Sequence, residues 1–228
     1  MGRHAHDITH KYFSKLEDIS NDTHRDIHDT FSSFVKMTAC ALSAGQREKE
    51  YLEEASKWDK NHLIMFSEAL SLLIREMETD PFTDIMGKYY AVVESKIVKQ
   101  SKGEFYTPNE VCSMMANIVL NDNYDGAPIY LNEPTCGAGQ MILSSAQNIV
   151  DQGQSPYILR VHATDIDYIA TQMCYINTTL WGIPCIVHHG DSLKCDVIKS
   201  YPNIHWIATE LGHQTNHENI KQMITGDE

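Results

Sequence analysis

The periodicity of the chain changes once, near Gly103, and that change limits the fold more than any other feature. Before it, "DITHKYFSKLEDI", "THRDIHDTFSSFVKMTACALSA", "REKEYLEEASKW" and "NHLIMFSEALSLLIREME" repeat apolar residues every three or four positions, as amphipathic helices do. Gly45 and the "TDPFTD" break around Pro81 separate these helices, and one more through "IMGKYYAVVESKIV" leads to Gly103. After it, the β-prone runs "APIYLNE", "YILRVHATD", "PCIVHHGD" and "NIHWIATE" alternate with helical stretches at 109–120, 140–152 and 169–181. Strands alternating with helices of that length build a parallel sheet with crossover helices. The expected architecture is α/β: a helical N-terminal domain over residues 1–100 and an α/β domain over residues 101–228.

Within the α/β part, "IYLNEPTCGAG" is a strand that runs into a turn of small residues and opens a helix. Gly137 and Gly139 let the backbone approach a ligand closely and offer amide donors near a helix N-terminus. The dinucleotide fingerprint G-x-G-x-x-G is incomplete, because Ile142 stands three after Gly139, and Glu133 at the strand tip repels a pyrophosphate. A ligand with a cationic amine fits better. The second strand ends in "TDID", which puts Asp165 and Asp167 where a ribose diol is usually held, and the third ends in "HHGDSL" with Asp191. Each signal alone also has a plain structural meaning, since a Gly turn permits tight packing and an Asp after a strand often caps a helix. In the same way Thr107 is expected to cap the next helix, with Pro108 at its first position and Glu110 at its third. Tyr168, Met173 and Trp181 are expected as helix core rather than as a stacking surface for a base.

Charge bears on partners. The formal net charge is −13; residues 1–100 carry 13 Lys/Arg against 17 Asp/Glu, and residues 101–228 carry 5 against 14. Nucleic-acid binding rests on phosphate neutralisation by Lys and Arg, so this balance excludes a broad DNA groove on the C-terminal half alone and leaves DNA contact weak or dependent on a partner chain. Lys96, Lys99 and Lys102 are spaced for one helical face, read as a solvated face. The six cysteines contain no CxxC pair, so reduced thiols are expected rather than disulfides or a zinc knuckle. No metal site is expected from His188, His189, His205, His213 and His217, of which only His213 and His217 have helical i, i+4 spacing. The apolar runs fall short of a membrane span and the His-rich start is unlike a signal peptide, so a cytoplasmic protein is expected.

"GEFYTP", "EPTCGAGQ", "ATDIDYIATQMCYINTTLWGI" and "HGDSL", in this order, resemble the adenine-specific N-6 DNA methyltransferases, most closely the modification subunit of type I restriction systems. The resemblance runs over essentially the whole chain. It implies a Rossmann-like core that binds S-adenosylmethionine, preceded by a helical domain. By the same resemblance Phe105, Tyr106, Thr107 and Pro108 help hold the methionine end of the cofactor. Glu133, Thr135, Gly137 and Gly139 wrap its methionine and ribose, Asp165 takes the ribose hydroxyls, and Asp191 with Ser192 takes the adenine amine.

One departure stands out. The resemblance places Asn/Asp-Pro-Pro-aromatic at the fourth strand tip, where a side-chain oxygen and a Pro carbonyl accept from the target amine of a flipped base. Here the matching position, after "HWIAT", reads Glu210-Leu211-Gly212-His213. Glu210 can accept hydrogen bonds and His213 can stack, and these two are the candidate catalytic residues, but the rigid double proline is gone. Two readings follow: a subunit of a DNA adenine methyltransferase, or a silent relative that binds S-adenosylmethionine and acts as a regulatory or decoy subunit. Methyl transfer to a small molecule or a protein also stays open. The sheet is expected to run 3-2-1-4 with "NIHWIAT" as an apolar edge, which leads to a homodimer or a heteromer.

Overall fold

The computed structural model describes residues 11–97, 107–120 and 127–211. Five helices come first: α1 (Lys11–Thr23), α2 (Ile27–Ala41), α3 (Glu48–Ala55), α4 (Lys60–Thr79) and α5 (Ile85–Ile97). Their apolar spacing is what packs them. On α1, Tyr12, Phe13, Leu16 and Ile19 are all buried, at the three- and four-residue intervals that make one face. Asp26 accepts from the His28 amide at 2.7 Å to start α2, and Asp59 accepts from the His62 amide at 2.9 Å to start α4.

The second part follows as α6 (Asn109–Val119), β1 (Ile129–Glu133), α7 (Gln140–Asp151), β2 (Leu159–Asp165), α8 (Tyr168–Leu180), β3 (Cys185–Asp191) and β4 (Asp196–Pro202). The sheet order is β1-β2-β3-β4. The first three strands are parallel, with Glu133 opposite Ala163 and Asp165 opposite His189. All three therefore end on the same edge of the sheet, and the loops after them lie side by side. Buried residues from α1 to β4 form one apolar cluster.

α8 is the keel between the two parts. Residues 169–179 are all buried, because α2 covers one side of the helix and β2 and β3 cover the other. Its polar side chains are satisfied locally or used as pins. Thr178 and Thr179 donate back to the Cys174 and Tyr175 carbonyls, and Gln172 accepts from the buried Arg47 at 2.6 Å. Arg47 also bonds Glu50 at 2.8 Å, and Lys199 of β4 reaches the other Glu50 oxygen at 2.6 Å. Met173 is fully buried, Tyr168 bonds Arg47, and Trp181 stacks on Phe82 at 4.4 Å, so these three serve packing.

Three expectations are corrected. "NIHWIAT" is not a strand: residues 204–211 are helical. Asn203 decides this, because its side-chain oxygen accepts from the Trp206 amide at 2.9 Å, an N-cap bond that outweighs the β-propensity of Ile204, Trp206 and Ile207. The fourth strand is instead Asp196–Pro202, antiparallel to β3, and it sits beside β3 rather than beside β1. Among the described residues the sheet edges are thus β1 and β4. Finally, Pro108 itself occupies the N-cap of α6 with no side-chain cap, so Thr107 does not cap the helix and Asn109 holds the first helical position.

All six cysteines are free, with only Cys195 exposed. Among the described residues no helix is long and apolar enough to cross a membrane. The side chain of Lys96, and all of Lys99 and Lys102, lie outside the described residues.

Candidate functional site

The loop after β1 is held in place from below. The Cys136 amide donates to the Thr164 carbonyl at 2.9 Å, which fastens the loop to the neighbouring strand. Gly137 (φ 52°) then donates to Asp165 Oδ2 at 2.7 Å. Gly139 has φ 95° and forms the N-cap of α7, with its amide on the Cys136 carbonyl at 2.8 Å. A side chain there is disfavoured twice: the left-handed backbone strains L residues, and a Cβ would crowd Cys174 Sγ at 3.1 Å. Asn177 of α8 donates to the Ala138 carbonyl at 2.9 Å, so the whole turn is pinned to buried groups.

Glu133 and Asp165 close the tips of adjacent strands, and their surroundings differ. Asp165 is committed: besides Gly137 it accepts the Asp167 amide on Oδ1 at 2.9 Å. Glu133 is half-buried, and among the described residues its side chain accepts one long bond, of 3.3 Å, from the Thr135 amide. Burial pushes its carboxyl up from the ordinary range, the Thr135 amide pulls it down, and the Asp165 charge adds to the rise. Such a carboxylate gains from a cation placed against it. Asp167 takes the plain structural role, capping α8 by accepting from Ile169 and Ala170 at 2.6 and 2.9 Å and from the Tyr90 hydroxyl at 3.0 Å.

Asp191 closes the third tip and is engaged locally. Its Oδ1 accepts from the Leu193 and Lys194 amides at 3.0 and 3.2 Å, and Lys194 Nζ pairs with Oδ2 at 2.9 Å. The Lys194 bonds hold its carboxyl below the ordinary range. A donor from a ligand meets Asp191 only by displacing or joining Lys194. Ser192 follows in the same turn, its carbonyl accepting from the Cys195 amide at 3.4 Å. Phe105 and Tyr106 lie outside the described residues.

A cavity of about 300 Å³ opens beside the glycine loop, lined by Thr107, Pro108, Asn109 and Glu110 at the start of α6, by Asp84 and Lys88 around the start of α5, and by Gln140. Gln140 follows Gly139 directly, and its side-chain oxygen accepts from the Asp84 amide at 2.7 Å. Asp84 is buried, accepting from the Gly87 amide at 2.9 Å and from Asn177 at 3.1 Å. Sequence reasoning named only Thr107 and Pro108 as site residues here. Asp84, Lys88, Asn109 and Gln140 come together through tertiary packing, and no spacing announces them.

Glu210 does not reach the site from a strand tip. It is exposed on the helix at 204–211. That helix is rooted at the opposite edge of the sheet, because Asn203 exchanges bonds of 2.9 and 3.2 Å with Cys185, the first residue of β3, and donates to the Ile183 carbonyl at 2.8 Å. His205 bonds the Thr179 carbonyl at 2.9 Å at the far end of α8. His213 and His217 lie outside the described residues. His188 Nε2 is 3.1 Å from His162 Nδ1, while its Nδ1 meets Ser200 at 2.8 Å. His189 Nε2 is 3.2 Å from the Ile166 carbonyl. Among the described residues no three His, Cys, Asp or Glu side chains are grouped to hold a metal ion.

Residues 82–226 match the N-6 DNA methylase family. Among solved structures, the chain superposes on a class I S-adenosylmethionine-dependent methyltransferase from Listeria monocytogenes with a TM-score of 0.50 at 11% identity, over 82% of this chain and 54% of that one. It also matches the methyltransferase subunit of a type I restriction-modification system from Streptococcus thermophilus, with a TM-score of 0.40 at 17% identity, over 79% of this chain and 43% of that one. The chain spans about half the length of these two structures. No curated protein matches it.

Proposed function

The chain belongs to the N-6 DNA methylase family, and from that membership we propose that it binds S-adenosylmethionine at the strand-tip edge and serves DNA adenine modification as one subunit among others. The observation that carries the reading is the pairing of Gly137 with Asp165 beside the half-buried Glu133, whose carboxyl is pushed up by burial and by the Asp165 charge. The residues fit the cofactor by charge. S-adenosylmethionine carries a cationic amine, a ribose diol and a methyl group on a sulfonium, and the sulfonium is what makes that methyl group transferable. Glu133, which has no cationic partner among the described residues, suits the amine. Asp165, its oxygens already holding the loop, orients the turn and shares its lone pairs with the ribose hydroxyls. Asp191 and Ser192 flank the adenine end. Thr107 and Pro108 belong to the segment that the resemblance assigns to the methionine end, and Thr135, Gly137 and Gly139 give the close backbone approach.

The acidic balance, −13 overall, supports a subunit role, because DNA phosphates then have to be met by a partner's basic surface. A silent, regulatory relative is the second reading, favoured by one observation: the residues from Ile204 to Glu210 form a helix rooted at the sheet edge away from the acids. Two measurements separate these readings. Titration calorimetry with S-adenosylmethionine tests the site, and the absence of heat overturns it. A labelled-methyl assay on duplex DNA, with the chain alone and with candidate partner subunits, tests activity. Transfer only in the complex supports the subunit reading, and transfer in neither supports the silent one.

A further inference from the structure

Three segments far apart in the chain converge on Ala138, the buried residue between the two glycines of the turn. Its carbonyl accepts from the Asn177 amide nitrogen of α8 at 2.9 Å. Its methyl group lies against α5, where a Cβ built on Gly87 would stand 2.9 Å from the Ala138 Cβ. The Gly139 amide, at the other end of the same peptide group, bonds the Cys136 carbonyl at 2.8 Å. A peptide group is planar, so the Ala138–Gly139 plane is held by its oxygen on one side and by its hydrogen on the other.

Asn177 is itself held in one orientation. Its amide nitrogen donates to the Ala138 carbonyl and, at 3.1 Å, to Asp84 Oδ1. Both partners are acceptors, so a flipped amide would set its oxygen against two oxygens. Capping the start of α5 accounts for the bond of 2.9 Å that Asp84 accepts from the Gly87 amide, and the bond from Asn177 comes in addition. The Asp84 main chain reaches the turn as well, its amide donating to Gln140 Oε1 at 2.7 Å. One residue before α5 thus grips both neighbours of Gly139: Ala138 by way of Asn177, and Gln140 directly. Burial pushes the Asp84 carboxyl up, and the Gly87 and Asn177 bonds pull it back. We propose, resting on the cofactor reading above, that Asp84, Gly87 and Asn177 are positioning residues for the cofactor turn, which clamp Ala138 and so set the plane of the Ala138–Gly139 peptide along which the cofactor lies. The helical part of the chain then shapes the site through Ala138 and Gln140.

The test separates position from stability. Asn177→Asp is nearest in shape but turns a carboxylate toward the Ala138 carbonyl, and Asn177→Leu removes the donor without adding charge. Both are expected to weaken S-adenosylhomocysteine about tenfold in calorimetry, the scale of one hydrogen bond lost at the turn. Thr179→Val, which removes another buried side-chain bond of α8, to the Tyr175 carbonyl, is expected to leave the affinity within about twofold whatever it does to the melting temperature. Asp84→Asn keeps an oxygen for Gly87 and Asn177 and should retain most of the affinity that Asp84→Ala loses. Without any ligand, the Gly139 amide resonance in a nitrogen-15 spectrum is expected to shift in both Asn177 variants and to stay in place in Thr179→Val. Wild-type affinity in the Asn177 variants, or an equal loss in Thr179→Val, overturns the clamp while leaving the cofactor site standing. Should the Asn177 variants not fold, the Asp84 pair decides, and equal affinities in Asp84→Asn and Asp84→Ala overturn it. If the wild type binds no S-adenosylhomocysteine, the cofactor reading itself falls and this inference with it.

Discussion

The Gly137 amide donates to Asp165 Oδ2 at 2.7 Å, so the turn after the first strand is fastened to the tip of the second. Because the other Asp165 oxygen holds the Asp167 amide, one side chain fixes both the loop and the entry to α8. Asp165→Ala is expected to lower stability by about 1–3 kcal/mol through its two stranded amides and to weaken S-adenosylmethionine at least tenfold. Asp165→Asn keeps one acceptor oxygen and should fall between. Urea denaturation and calorimetry read the two effects, and an alanine variant with wild-type affinity removes Asp165 from the site.

Gly87 is fixed by space rather than by conformation. A Cβ there would stand 2.0 Å from Asp84 Oδ2 and 2.9 Å from the Ala138 Cβ. Gly87→Ala is expected to cost about 1–3 kcal/mol by overpacking. Paired with Asp84→Ala, which opens the space but strands the Gly87 amide and Asn177, its cost should be clearly less than the sum of the single changes. Additive costs in a denaturation cycle would show that the two sites do not share the clash.

Arg47 is buried and bridges three elements through Gln172, Glu50 and, by its ring contact at 4.5 Å, Tyr201. Burial works against both charges of the Arg47 and Glu50 pair, and their hydrogen bonds override it, holding Glu50 below the ordinary range and Arg47 above its own. Arg47→Ala is expected to cost about 3 kcal/mol, near the low end for breaking a buried pair because Glu50 keeps Lys199 and some solvent. A change below about 0.5 kcal/mol in urea would mean that solvent replaces the guanidinium without loss.

His188 resists protonation, because burial and the neighbouring His162 both lower its pKa. The unfolded chain takes up that proton near pH 6.5, about the ordinary histidine value. The stability that neutral His188 contributes is therefore fully present above that value and is lost as the pH falls through the lower folded-state value. His188→Gln has no such proton to gain. The stability difference, wild type minus variant, is expected to shrink between pH 7.5 and 5.5 in parallel urea titrations. A difference that widens on acidification reverses the assignment.

The helices and the three parallel strands were legible because their apolar period is strong and their loops carry Gly or Asp. β4 was not, since five of its seven residues are exposed and only Tyr201 is buried. "NIHWIAT" misled because its β-branched and aromatic residues spoke louder than the one polar residue, Asn203, that starts a helix. Glu133 and Asp165 were found at the tips where the sequence put them, because a strand end and its acid are adjacent in the chain. The cavity beside the glycine loop was not found. It depends on the starts of α5, α6 and α7 coming together, and these segments are far apart in sequence.

The burial of α8 on both sides has a practical meaning for any attempt to cut the protein down. The family match begins at residue 82, and a fragment trimmed there loses α2, the cover over one flank of α8. Met173 and Ile176 are completely buried and Tyr175 nearly so, and Gln172 has Arg47 as its partner. Removing the first four helices leaves a sticky flank on the central helix and orphans that amide, so the fragment should come out as inclusion bodies or soluble aggregate. The recombinant unit that can be purified has to keep α2 and Arg47.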